Sequence, residues 1–175
     1  MGLFSNKLIS TDKVNKSLVK FFNTNYDSLL EGFQEVLKKD INIDKNQYKE
    51  LMFIPMIAII KAIPEAFGDS QISKDLLGKF QKKIFNNFKD TEEKNNFSEL
   101  FYIRIKEYDK IIRLDNTNLD IQFGQIFYQN FYKKEPELND AEALAIMTFM
   151  GLAFLNQYKN IINFLDEIRQ NYVFI

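Results

Sequence analysis

The sequence predicts an all-α fold: a single domain of about six helices over residues 11–175, packed around a long C-terminal helix and preceded by an arm over residues 1–10. Three observations predict it. Apolar residues recur at three- and four-residue spacing in six segments, no stretch sustains period-two alternation, and helix-capping residues stand at several of the boundaries. The longest segment, Asn139 to Arg169, is the one the others are expected to surround. There Ala143, Met147, Met150, Phe154, Tyr158, Ile161, Leu165 and Ile168 place one side chain per turn on one side. In its second half Asn156, Lys159, Asn160, Asn163, Asp166 and Glu167 fill the opposite face. In its first half that face holds Phe149 and Leu152 without charge, so this half is expected to be buried all round.

The opening MGLFSNKLIS has neither the apolar run nor the cleavage site of a secretory signal, and Asn6 stands where a myristoylation motif wants Ser or Thr. Leu3, Phe4, Leu8 and Ile9 beside Lys7 can lie in a membrane interface. The plainer expectation is an arm that packs on the domain or stays disordered. From Ser10 or Thr11, Val14, Leu18, Phe22, Tyr26, Leu29, Phe33 and Leu37 define a first helix to about Lys39, its register crossing Asn23, Thr24 and Asn25 unchanged. Asp40 to Lys45 reads as a turn. A second helix starts at Tyr48 around LMFIPMIAIIKAI, which is too short to span a bilayer and contains Lys61. Pro55 predicts a kink or a new start, Pro64 a restart and Gly68 a stop.

The third helix is expected from Ile72 to Asp90, with Leu76, Leu77, Phe80, Ile84 and Phe88 inward and Lys79, Lys82, Asn86 and Lys89 outward as a solvated face. Asp90 and Glu93 have capping-box spacing and open a fourth helix through Phe97, Phe101, Ile105, Tyr108 and Ile112 to about Arg113. Arg104 falls inside its apolar arc and must find a carboxylate or reach outward to water. After LDNTN a fifth helix runs from Leu119 to Lys133, with Leu119, Phe123, Ile126 and Phe127 inward. Pro136 ends it, Asn139 with Glu142 caps the last helix, and Tyr172 to Ile175 are expected to dock as a short extended tail.

Composition narrows the function. The balance of 23 basic and 24 acidic residues leaves a formal charge of -1, which offers no global attraction to nucleic acid or anionic lipid. No nucleic-acid partner is expected. The chain has no Cys and no His, which removes thiolate chemistry, the commonest metal ligand and the commonest general base. No phosphate loop, nucleophile elbow or calcium loop occurs, and Glu31 with Glu35, Glu137 with Asp140, and Asp166 with Glu167 make no convincing ligand set. No metal or cofactor is expected, and the reading leans away from an enzyme.

The first expectation is therefore a cytoplasmic protein-interaction module that binds a protein partner or a second copy of itself. From Ile121 to Tyr132 no residue is charged, and Gln122, Gln125 and Gln129 line up beside Tyr128 and Tyr132 on the face away from the core. A surface helix normally carries Lys and Glu there, so this face is either an interface or is covered by the same chain. The alternative is an apolar or anionic small ligand in a cavity between the second and last helices, with Met52, Met56, Met147 and Met150 as adaptable lining and Arg104 as its charge.

Overall fold

The computed structural model describes residues 7–37, 43–112, 118–137 and 139–175. In chain order these form β1 (Lys7–Ile9), α1 (Thr11–Leu37), α2 (Lys45–Phe67), α3 (Gln71–Phe85), α4 (Thr91–Ile112), α5 (Leu119–Tyr132), α6 (Ala141–Asn171) and β2 (Tyr172–Phe174). The expected turns at 40–42 and 114–117, the helix ends at Lys39 and Arg113, and the arm residues Leu3 and Phe4 lie outside the described residues. One cluster of buried apolar side chains takes members from every helix. Among the described residues no helix is long and apolar enough to cross a membrane.

The stripe expected in α1 is the buried one, from Val14 and Leu18 to Phe33 and Leu37. The Asn cluster leaves the helix intact because Asn25 Nδ2 donates to the Phe21 carbonyl at 2.8 Å, which keeps its amide satisfied on the helix. Helix α2 departs from expectation in two ways. It starts three residues early, at Lys45, because Asp44 caps it: Asp44 Oδ1 accepts from the Asn46 and Gln47 amides, and Gln47 Oε1 accepts from the Asp44 amide. It also runs through Pro55 and Pro64 as one element, without the expected restart at Pro64; it stops, as expected, at Gly68, whose φ of 62° suits a residue without Cβ. An internal proline costs about 3 kcal/mol, yet α2 buries Leu51, Phe53, Ile54, Ile57, Ile59 and Ile63 completely or nearly so, each worth roughly 1.5–3 kcal/mol. Burial outweighs the missing donors.

Helix α3 begins where the Ser70 hydroxyl accepts from the Ser73 amide, and ends at Phe85 rather than Asp90. Asn86 to Phe88 turn away through short-range bonds, and Phe88 packs on Phe97 instead, with ring centroids 4.4 Å apart. Lys79, expected to face solvent, bridges to α1 by pairing with Asp12 at 2.7 Å and donating to the Thr11 hydroxyl at 2.7 Å. The Asp90 cap on α4 forms as expected, accepting from the Glu93 amide at 2.8 Å. The cap of α6 is Asp140, not Asn139; its carboxylate accepts from the Glu142 and Ala143 amides. Helix α5 ends at Lys133, whose φ of 54° puts it in the left-handed region before Pro136 is reached.

The tail does dock as an extended segment, and the chain's other end docks with it. Strands β1 and β2 pair in parallel, Lys7 opposite Tyr172 and Ile9 opposite Phe174, and the Ile175 amide donates to the Ile9 carbonyl. Ile9 is buried and Phe174 meets the Phe67 ring edge-on at 5.5 Å, while Leu8 and Val173 point outward. Residues 7–9 thus pack on the domain, as the plainer expectation for the arm has it, with Ile9 buried.

Candidate interaction surface on the α5–α6 hairpin

Helices α5 and α6 lie antiparallel with their backbones in direct contact. A Cβ on Gly124 would stand 1.9 Å from the Met147 carbonyl oxygen, and one on Gly151 the same 1.9 Å from the Asp120 carbonyl oxygen. Only hydrogen fits at these two crossings. The seam is continued inward by stacked rings: Tyr108 on Phe123 at 4.2 Å and Phe123 on Phe154 at 3.9 Å.

This close pairing relocates the uncharged surface. Tyr128, expected on the face away from the core, is only 3% exposed, because the backbone approach at Gly124 draws the neighbouring turn of α5 against α6. Its ring packs on Tyr132 at 4.7 Å. Tyr132 and Gln122, Gln125 and Gln129 are half-buried, and Gln129 Nε2 donates to Glu135 at 2.5 Å. Burial, with the Glu142 charge second, pushes the Tyr132 phenol up to about 12. The five candidate residues therefore do not make a freely exposed plane by themselves.

The first half of α6, in turn, is not buried all round. Leu144 is 43% exposed and Leu152 46%, with Ala145 and Thr148 exposed between them, and Ile121 on α5 is 54% exposed. At 100° per residue, Ile121 and Gln125 fall on the flank of α5 beside the exposed row of α6. The hairpin so presents one solvent face over which neither α5 from Ile121 to Tyr132 nor α6 from Ala143 to Tyr158 carries a charge. Charges gather at its ends, at Asp120, Lys133, Lys134, Glu135 and Glu142. The missing charge of α6 was visible in the sequence; its exposure was not.

On the far side of α5 lies Arg104, the one buried arginine among the described residues. Arg104 Nε and Nη2 both donate to Glu50, at 2.9 and 2.6 Å, and Nη1 donates to Glu107 Oε2 at 3.0 Å. Burial opposes the guanidinium charge, but its hydrogen bonds to Glu50 and the charges of Glu50 and Glu107 hold its pKa above the ordinary value. Of the two outcomes expected for Arg104, a carboxylate partner or an outward reach to water, the first is found, with a partner 54 residues away on α2. Nearby, burial and then the Glu50 charge push the Tyr108 phenol well up. Met56, Met147 and Met150 are buried members of the core cluster, and Met52 packs partly exposed against it.

No family model matches the chain, and neither a curated protein nor a solved structure matches it.

Proposed function

We propose that this protein is a cytoplasmic interaction module that pairs with a second copy of itself through the outer face of the α5–α6 hairpin. One observation carries the reading: Ile121, Leu144 and Leu152 are each about half exposed on a two-helix face without charge, where an ordinary surface helix keeps Lys and Glu. Amides and aliphatic groups lose little when desolvated and paired across a contact, whereas ammonium and carboxylate groups lose much. The absence of Cys suits a reducing compartment.

A second copy fits better than a charged partner. The face offers nothing for opposite charge to recognise, and a formal charge of -1 leaves little repulsion between copies. Two hairpins meeting about a two-fold axis bring Leu and Ile of one against those of the other, as in a four-helix arrangement. The footprint also indicates strength. Fourteen residues of α5 at 1.5 Å each, over two helices about 20 Å wide, cover roughly 400 Å² in projection, below the ~800 Å² per partner of a standard interface. Association is accordingly expected to be reversible, with a dissociation constant in the micromolar range.

Sedimentation velocity across about 5 to 500 μM tests this. The expected result is a concentration-dependent shift from monomer to dimer that Leu152→Glu abolishes while leaving the melting temperature unchanged. A wild-type protein that stays monomeric throughout, or a Leu152→Glu variant that still dimerises, overturns the proposal.

A further inference from the structure

The opposite flank of α5 carries a second feature, independent of the dimer face. Between α4 and α5 opens a cleft of about 280 Å³ lined by Glu107, Lys110, Ile111, Ile126, Gln129 and Asn130. Its size is near the lower end of small-molecule sites, which span ~300–1,000 Å³, so it suits a compact ligand and not a nucleotide.

The buried charge behind it shapes its chemistry. Burying an ion pair costs several kcal/mol per ion in desolvation and is weak support for stability, so the Glu50–Arg104 pair calls for another role. What it delivers is position. With Nε and Nη2 spent on Glu50, Arg104 extends Nη1 to Glu107 Oε2, which also accepts from Asn130 Nδ2 at 2.9 Å. Glu107 is thereby clamped on the cleft wall by α4 and α5 together, at 35% side-chain exposure. Lys110 stands one turn further along α4, where side chains three apart are neighbours with Cβ atoms about 5–6 Å apart. It is exposed and has no ion-pair partner among the described residues. Gln129 and Asn130 add carboxamides, and Ile111 and Ile126 add apolar surface.

A fixed carboxylate and an ammonium one helical turn apart discriminate by charge pattern. A plain anion meets repulsion from Glu107 and a plain cation from Lys110, while a small zwitterion satisfies both. We propose that this cleft binds a free α-amino acid, its ammonium on Glu107, its carboxylate on Lys110, and its side chain against Ile111 and Ile126. Preorganisation of Glu107 by Arg104 and Asn130 lowers the ordering cost of binding.

The test is a titration of the full-length, ¹⁵N-labelled protein with each of the common amino acids to about 10 mM, following backbone amides of α4 and α5 and the Gln129 and Asn130 side-chain amides. The expected result is saturable shifts at the cleft with at least one amino acid. The amine lacking its carboxylate and the acid lacking its amine should each bind at least about tenfold more weakly. Lys110→Ala should weaken binding by a similar factor at unchanged melting temperature, and Glu107→Gln, which keeps an acceptor for Arg104 and Asn130, should do the same. Should Glu107→Gln fail to fold, Lys110→Ala decides alone. Absence of saturation with every amino acid, or a Lys110→Ala protein that binds as well as the parent, overturns the inference.

Discussion

Replacing Gly124 by Ala is the sharpest test of how the hairpin is built. Glycine is a poor residue for a helix interior, and propensity alone favours Ala there by about 1 kcal/mol. The structure reverses that expectation. The new methyl carbon would lie 1.9 Å from the Met147 carbonyl oxygen and 2.5 Å from its carbonyl carbon, both backbone atoms that no rotamer change can move. Relief requires α5 and α6 to separate by more than 1 Å, which also opens the Phe123–Phe154 stack, now at 3.9 Å. Overpacking of this kind costs typically 1–3 kcal/mol, so at the upper end of that range the net effect is a loss of about 2 kcal/mol after the propensity gain. For a chain of this size that corresponds to a fall of roughly 4–8 °C in melting temperature. Gly78 in α3 is the internal control, because a Cβ there meets nothing within 4 Å. Gly78→Ala should stabilise by about 0.5–1 kcal/mol. Urea denaturation of both variants reads the two signs together. A Gly124→Ala protein as stable as the parent would show that the two helix backbones do not touch as described.

Three further outcomes follow from the core and its charges. Phe154 is fully buried between Phe123 and Tyr158, so Phe154→Ala should cost roughly 3–5 kcal/mol in urea unfolding, whereas Lys159→Ala, on the exposed side of α6, should stay within about 0.5 kcal/mol. Arg104→Ala leaves buried Glu50 with the longer 3.6 Å contact to the exposed Lys133 ammonium in place of its bidentate partner and should cost up to about 3–5 kcal/mol, while pairing Arg104→Met with Glu50→Leu should recover most of it; a double variant no better than the single would contradict a desolvated pair. The Tyr132 phenol, raised to about 12 by burial, stays neutral in the folded chain after an unfolded one has ionised near its ordinary value of about 10. Its contribution to stability is therefore complete below about pH 10 and lost as pH rises from there towards 12, and Tyr132→Phe should remove that part of the alkaline decline in melting temperature and one late step in phenolate absorbance.

The helices themselves were legible from local pattern. Burying one stripe of a 3.6-residue repeat is a property of each segment alone, and for that reason Val14 to Leu37, the Leu76–Phe80–Ile84 stripe and Phe154 to Ile168 all lie inward as their spacing predicts. The anomaly at Arg104 was legible for the same reason: a charge inside an apolar arc is visible without a partner in hand. What it pairs with was not, because Glu50 reads as one more polar residue at the start of α2. Pro64 was misread as a restart and Pro55 begins no new helix, since the local cost of a missing donor is apparent in sequence and the burial that offsets it is not. The pairing of Lys7–Ile9 with Tyr172–Phe174 joins segments too short for any period to show. Gly124 and Gly151 are of a residue type that disfavours helix interiors, and only the close approach of the two backbones gives them a reason. The uncharged run of α6 admits either full burial or an interface, and residue type cannot separate them, because both conditions exclude charge on the same ground of desolvation. Tertiary structure excluded full burial by leaving Leu144 and Leu152 open to solvent while closing over Tyr128.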